Sequence, residues 1–152
     1  MSHVDRRIAA VAHLSIGFGI IIGVGFLLSL AINLVIWLRS RRSTFVEYHA
    51  EQAGAYQLVV LLINILVVVI WIAGLFPLLG GSEIGLGEIS LRQIVAGLWC
   101  ALVPLFVVWY FGTILYGVYG GIVVAAGGSF SYRIFGPWAR RRLAAKGKTP
   151  ED

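Results

Sequence analysis

Charged side chains are scarce in this sequence. Asp, Glu, Lys and Arg make up 12% of its 152 residues, while hydrophobic residues make up 59%. A soluble domain usually carries about twice that share of charge. The composition therefore excludes an ordinary soluble domain and predicts an integral membrane protein.

Charge is absent altogether from three long apolar runs, residues 8–38, 55–79 and 93–127. Carriers driven by ions or protons usually keep ionisable groups at membrane depth. Most intramembrane enzymes need paired carboxylates or clusters of metal ligands. We therefore expect no catalytic residue, no metal site and no enzymatic activity, while a passive pore stays open.

Cysteine is almost missing as well. Cys100 is the only one, and it lies inside an apolar run. Neither an intrachain disulfide nor a cysteine metal cluster can form. We expect Cys100 to be a small buried residue rather than a reactive thiol.

Nucleic-acid-binding motifs are also lacking, although the net charge is +5. The basic residues flank the apolar runs, where they set topology and attract anionic lipid headgroups. We therefore expect a bilayer with anionic headgroups as a partner, and no nucleic acid. The headgroup contacts are expected from two arginine clusters: Arg39, Arg41, Arg42, Arg140, Arg141 and Arg142.

What the sequence does contain predicts an all-α, polytopic membrane protein with a single membrane domain over residues 1–152. Helices are expected at 45–79 and 91–127, followed by an interfacial basic tail at 128–152. Residues 8–38 form either one long first span or a glycine-rich helical hairpin, because glycine permits tight reversals. Two glycine pairs have the spacing of a close helix-packing face: Gly19 with Gly23, and Gly117 with Gly121.

Uncharged polar side chains lie at membrane depth in each predicted early helix. We expect Asn33, Gln57 and Asn64 to join helices by hydrogen bonds. A polar path lined by these side chains is the alternative.

Two capping patterns mark helix starts, Thr44 with Glu47 and Ser90 with Gln93. The first pattern begins the second helix near Phe45, with Thr44 as its N-cap. We expect Glu47 and Glu51 to face water and the nearby arginines. The aromatic and histidine face of the same turns is then directed inward.

His13 and His49 are the titratable side chains most open to a functional interpretation. Both fall near the same predicted membrane face. They are either axial ligands of a haem or chlorophyll-type pigment, or a hydrogen-bonded pair that fixes the first segment against the second helix. We favour the second interpretation and expect no cofactor.

Orientation follows from the positions of lysine and arginine. With a hairpin at 8–38, every Lys and Arg except Arg92 lies on one side. With a single span there, Arg6 and Arg7 join Arg92 on the other side. The hairpin satisfies the positive-inside rule better, so we expect a multi-pass protein of the bacterial cytoplasmic membrane with a cytoplasmic C-terminus.

Three stretches carry a family resemblance. They are A-H-L-S at residues 12–15, W-L-x-x-x-x-S-x-F-V-x-x-H-A-x-Q-A at 37–53, and the small-residue and aromatic close at 126–133. This order resembles a bacterial family of small membrane proteins of unknown function. That family is grouped with the twenty-kilodalton inner-envelope subunit of the chloroplast protein import translocon (Tic-twenty-like). The resemblance implies four helical segments with both ends on one side, and a role in protein translocation.

From the residues we expect a non-catalytic accessory, structural or assembly subunit that packs against other integral membrane proteins in a larger complex. Two alternatives stay open. One is the translocation component that the resemblance implies. The other is a cofactor-binding subunit of an electron-transfer or light-harvesting complex, acting through His13 or His49.

Overall fold

A computed structural model of the protein describes residues 2–21, 24–40, 43–79, 85–86 and 89–149. These residues are helical apart from loops and one two-residue ladder, which confirms the all-α class. The helices are α1 His3–Leu14, α2 Val24–Arg39, α3 Thr44–Leu79, α4 Leu91–Ala125 and α5 Phe135–Ala145, with a 3₁₀ helix Ser15–Ile20 after α1. The ladder pairs β1 Gly85–Leu86 with β2 Ile89–Ser90 in antiparallel register.

Two of these helices contain segments long and apolar enough to cross a membrane, Thr44–Gly74 in α3 and Ala96–Ala125 in α4. Only 17% and 6% of their most apolar windows are buried. The core helix of a soluble protein would be mostly buried instead. Their apolar side chains thus face outward, which suits helices that could cross a membrane.

The glycine-rich run at 8–38 is two helices rather than one. The chain leaves α1, makes the 3₁₀ helix and reverses into α2. A Cβ atom on Gly25 would collide with the carbonyl oxygen of Phe18, so the close backbone approach at this reversal requires glycine. Gly19 packs against the ring of Phe26 in the same turn. Gly23 lies outside the described residues.

The chain forms two compact units. The first consists of Met1–Leu61 with Thr113–Asp152, and the second is Leu62–Gly112. The first unit holds α1, α2, α5, the start of α3 and the end of α4. Its core is built mostly from small residues, with two aromatic rings from the segment after α4: Ala9, Ala10, Ala12, Ala50, Ala53, Val124, Phe130 and Tyr132.

Small residues let α1 approach the end of α4 closely. A Cβ on Gly117 would lie 2.6 Å from Cγ2 of Ile16, and one on Gly121 would lie 2.6 Å from Cγ of Leu14. The predicted glycine pair therefore packs against the N-terminal helices of its own chain.

The end of α4 is fixed by glycine. Gly127 has φ +92°, a conformation that side chains with a Cβ rarely adopt. Its amide donates to the carbonyl of Val124, and the amide of Gly128 donates to Val123. This is a Schellman motif. It directs the chain from α4 into the extended segment that carries Phe130 and Tyr132.

The second unit is held by aromatic contacts between α3 and α4. The rings of Trp71 and Trp99 lie 5.4 Å apart, and Trp71 contacts Phe106 at 4.9 Å. Cys100 is exposed in this unit, so the expectation of a buried cysteine is wrong. Its place on an outward face of α4, among other exposed apolar side chains such as Leu98 and Leu102, explains why an apolar run did not mean a buried residue.

Candidate functional site

His13 of α1 and His49 of α3 form a buried pair in the first unit, 0% and 2% exposed. Nε2 of His13 lies 2.9 Å from Nδ1 of His49. Nδ1 of His13 lies 3.2 Å from the hydroxyl of Tyr132. Both ring nitrogens of His13 are therefore engaged within the protein.

The amide of Gln52 sets the direction of these hydrogen bonds. Its Oε1 accepts from the backbone amide of Tyr132, so its Nε2 donates to Nδ1 of His49, which makes Nε2 of His13 a donor and Nδ1 of His13 an acceptor. Burial, together with the neighbouring Tyr56 and Tyr116, raises the pKa of Tyr132 well above its ordinary value. The hydroxyl keeps its proton and donates to Nδ1 of His13. His13 then carries its proton on Nε2 and donates to Nδ1 of His49. The three side chains form a chain of donors that runs one way and needs no charged member.

Gln52 joins this chain to the backbone after α4. Its Oε1 accepts from the amide of Tyr132 at 3.1 Å, and its Nε2 lies 3.3 Å from the carbonyl oxygen of Phe130. The same Nε2 lies 3.0 Å from Nδ1 of His49. Gln52 therefore holds the extended segment 130–132 against α3, one turn from the histidine.

A second cluster of buried polar side chains donates hydrogen bonds to a backbone carbonyl group near the C-terminal end of α1. The carbonyl oxygen of Ala12 lies where helical partners run out. It accepts from Nδ2 of Asn33 at 2.8 Å and from Nε2 of Gln57 at 3.1 Å. Asn33 also donates to Oε1 of Gln57 at 2.7 Å. Three helices thus meet at one carbonyl group, with the hydroxyl of Ser15 within reach of both amides.

Asn64 does not join this group. It lies in the second unit, 8% exposed, and neither side-chain polar atom has a hydrogen-bond partner among the described residues. The predicted packing residues Asn33 and Gln57 are brought together, and Asn64 is not.

The two glutamates at the start of α3 are buried rather than facing water. Glu47 and Glu51 are 5% and 6% exposed. Nζ of Lys146 lies 2.9 Å from Oε1 of Glu47 and 3.0 Å from Oε1 of Glu51. Hydrogen bonds to these two carboxylates raise the pKa of Lys146. The expectation that they would face water is therefore wrong, because both are buried against lysines of the C-terminal tail; their expected proximity to Arg41 and Arg42 falls on residues outside the described ones.

The arginine clusters divide in the structure. Arg39 and Arg141 are exposed, as headgroup contacts would be, while Arg41 and Arg42 lie outside the described residues. Arg142 lies 3.7 Å from Glu51 and sits over the ring of Trp138. Arg140 sits over the ring of Tyr48. The tail thus contacts its own protein as well as presenting charge outward.

The predicted cap of α3 is displaced by one residue. The helix begins at Thr44, and Oγ of Ser43 lies 3.5 Å from the amide of Val46. Ser43 therefore occupies the N-cap position predicted for Thr44, and Glu47 binds lysines instead of the cap backbone. At the other predicted cap, α4 begins at Leu91 directly after Ser90. The side chain of Ser90 lies outside the described part, so its pairing with Gln93 stays a prediction.

Sequence reasoning found both histidines and missed their link to Tyr132. The two residues at either end of that hydrogen bond are 119 positions apart, and no local pattern signals such a pairing. Among the described residues no three His, Cys, Asp or Glu side chains are grouped as a metal site would require. The cluster can hold helices together through its one-way chain of hydrogen bonds. It leaves no ring nitrogen of His13 free to bind a ligand.

Residues 4–139 match the family model of the magnetosome magnetite crystal formation proteins (MamF/MmsF). This chain belongs to that family. No curated protein and no solved structure matches it. The magnetosome family thus replaces the chloroplast translocon grouping, which finds no support. The match includes His13, His49 and Tyr132. It ends before Arg142, Lys146 and Lys148, so the cationic partners of Glu47 and Glu51 lie outside the matched region.

Proposed function

We propose that this chain is a non-catalytic protein of the magnetosome membrane that takes part in magnetite crystal formation. Its part is that of an accessory or assembly subunit that packs against other membrane proteins. The match to the magnetosome family over residues 4–139 is the observation that carries this proposal.

The pairing of the buried polar groups supports a non-catalytic role. A general acid or base must reach a reacting group outside the protein. Here His13 is bonded to Tyr132 and His49, and Gln52 bonds the backbone of 130–132. These groups stabilise the first unit, and none of these hydrogen bonds leads to a substrate.

The same geometry weighs against a haem or pigment on His13. An axial ligand needs a free ring nitrogen. Binding a haem or pigment to His13 would break its hydrogen bond to Tyr132 or to His49. The buried partner would then be left unpaired, which costs free energy. The structural interpretation of the histidine pair is therefore the one that we carry forward.

A small-residue site on α4 supports contact with another membrane helix. Gly97 is exposed, with nothing within 4 Å of the position of an added Cβ. Ala101, one turn later, is exposed as well. Membrane helices approach closely where small residues recur every four positions. Gly112 has equally open space but bulky Val108 and Tyr116 one turn away on either side, so it offers no such approach.

The test is gene replacement in the magnetite-forming bacterium that carries this chain. Deletion should change the size or shape of the crystals seen by electron microscopy, and the parent gene should restore them. The Gly97→Leu variant should restore them poorly and co-purify with fewer membrane proteins, since the larger side chain blocks a close helix contact.

Gly112→Leu is the matched control and should behave like the parent. Unchanged crystals after deletion would refute the role in magnetite formation. Full rescue by Gly97→Leu with the same co-purifying proteins would refute the partner face on α4.

A further inference from the structure

A cavity of about 570 Å³ lies between α2, α3 and α5 in the first unit. This is within the usual size range of ligand pockets, roughly 300–1,000 Å³. The histidine cluster, the amide group around the carbonyl of Ala12 and the ionic pairs leave this cavity without an assigned role.

The cavity has an apolar end and a polar end. The antiparallel register of α2 and α3 is fixed by two hydrogen bonds, Asn33 to Gln57 and Trp37 to Glu51. Leu30 and Leu34 therefore face Leu58 and Val59 at one end. Trp37, Glu51, Trp138 and Arg142 line the other end. From Leu30 to Trp37 the wall rises about 10 Å along the helix axis.

Two residues that line this cavity also carry buried hydrogen-bond acceptors that lack donors. Oε2 of Glu51 and Oδ1 of Asn33 are buried, and neither has a partner among the residues that the structure describes. The two residues are 6% and 2% exposed, so water has little access. A buried carboxylate oxygen without a donor costs free energy, and a ligand that brings donors would remove that cost.

The charges at the polar end select the ligand. Oε1 of Glu51 already binds Lys146 and Trp37. It lies 3.7 Å from the guanidinium of Arg142, whose side chain is 45% exposed, so the carboxylate oxygen left for a ligand is Oε2. A molecule that matches both must carry an ammonium group with N–H donors beside a phosphate, since Arg forms strong hydrogen bonds to phosphate. An acyl chain would fill the apolar end.

We propose that this cavity binds a phospholipid with a primary-ammonium headgroup. The ammonium donates to Glu51, the phosphate accepts from Arg142, and one acyl chain lies along the leucines of α2 and α3. A trimethylammonium headgroup has no N–H donor, so the site distinguishes phosphatidylethanolamine from phosphatidylcholine. This inference does not depend on a role in magnetite formation.

The experiment is native mass spectrometry of the full chain. The chain is released from nanodiscs that contain equal amounts of phosphatidylethanolamine and phosphatidylcholine with identical acyl chains. The parent should retain phosphatidylethanolamine about tenfold more than phosphatidylcholine, the change expected from one hydrogen bond to a charged group. Leu34→Trp should fill the apolar end and remove the bound lipid. Glu51→Gln should remove the preference between headgroups.

Two variants serve as matched controls. Leu27→Trp lies on the same helix at similar exposure, 59% against 54% for Leu34, and does not line the cavity. Glu47→Gln neutralises the neighbouring carboxylate that pairs with Lys146 and Lys148. Both should retain lipid as the parent does.

Equal retention of the two lipids by the parent would overturn the proposal. So would a lipid preference that survives Leu34→Trp. A dimer mass in the parent that Leu34→Trp abolishes would assign the cavity to a second copy of the chain instead. If Glu51→Gln does not fold, Arg142→Gln tests the phosphate contact instead: it should lower the retention of both lipids, because both carry the phosphate, and parent-like retention would overturn the proposal.

Discussion

At the scale of single residues, the first unit is held by hydrogen bonds that join parts of the chain far apart in sequence. The hydroxyl of Tyr132 reaches His13 in α1, while its ring stacks on Tyr56 at 4.3 Å. The ring and the hydroxyl therefore contribute separately, and a substitution can remove one and keep the other.

Tyr132→Phe should lower the stability of the protein by about 1–3 kcal/mol, the cost of leaving a buried polar atom unpaired. The stacked ring remains, so the loss isolates the hydrogen bond to His13. The measurement is reversible unfolding in mild detergent, followed by circular dichroism. Tyr119→Phe is the control, since Tyr119 is 59% exposed. Equal stability of the two variants would show that the bond to His13 contributes nothing.

At the scale of helices, the close approach of α1 to α4 depends on a few positions without side chains. At Gly121 an added Cβ would lie 2.6 Å from Leu14 and 3.0 Å from the carbonyl oxygen of Ala10. Leu14 could move aside, but the backbone of α1 could not do so without shifting the whole helix. A larger residue at position 121 would therefore push α1 away from α4.

Gly121→Leu should detach or displace α1 and lower the melting temperature by several degrees. Protease added to the detergent-solubilised protein should cut the N-terminal region faster than in the parent. Gly112→Leu adds the same side chain to the same helix where nothing lies within 4 Å, and it should melt like the parent. Parent-like melting of Gly121→Leu would mean that α1 is not packed there.

Much of this element pattern could be predicted from sequence. The two capping patterns gave the starts of α3 and α4 and the charge-free runs gave their ends, all to within two residues: 44–79 and 91–125 against expected bounds of 45–79 and 91–127. The capping pattern was one residue off, because Ser43 and Thr44 are both good N-caps and only backbone geometry decides between them. The cavity between α2, α3 and α5 had no sequence signal at all.

It was harder to predict which side chains at the start of α3 are buried. Periodicity placed His49 and Gln52 inward, where the structure has them. It also placed Glu47 and Glu51 in water, since buried carboxylates are rare unless paired. Their partners Lys146 and Lys148 lie about a hundred residues later, and local patterns do not contain such pairings.

At the scale of the whole molecule, the distribution of positive charge stays the basis for orientation. Every Lys and Arg except Arg92 falls near the termini or between α2 and α3. By the positive-inside rule we expect those segments in the cytoplasm.

Cysteines introduced singly at Val4, Gly85 and Thr149 in a Cys100→Ala background would test this orientation. With the chain produced in a bacterium that forms no magnetosomes, an impermeant maleimide added to intact spheroplasts should label the cysteine at 85 and leave those at 4 and 149 unlabelled. Permeabilised spheroplasts, in which all three should react, control for accessibility. Labelling at position 4 but not at 149 would place the termini on opposite sides and reject the hairpin topology.

The first unit is assembled from both ends of the chain, and this has a consequence for the timing of biosynthesis. His13 leaves the ribosome 119 residues before Tyr132, an interval of roughly 6–24 s at ordinary rates of translation. During that time His13, Gln52 and the two buried glutamates of α3 lack the later segments that pair with them. The early half of the protein is then most exposed to proteolysis and to insertion factors, and a ribosome stalled before codon 130 would release a chain that cannot complete its own core.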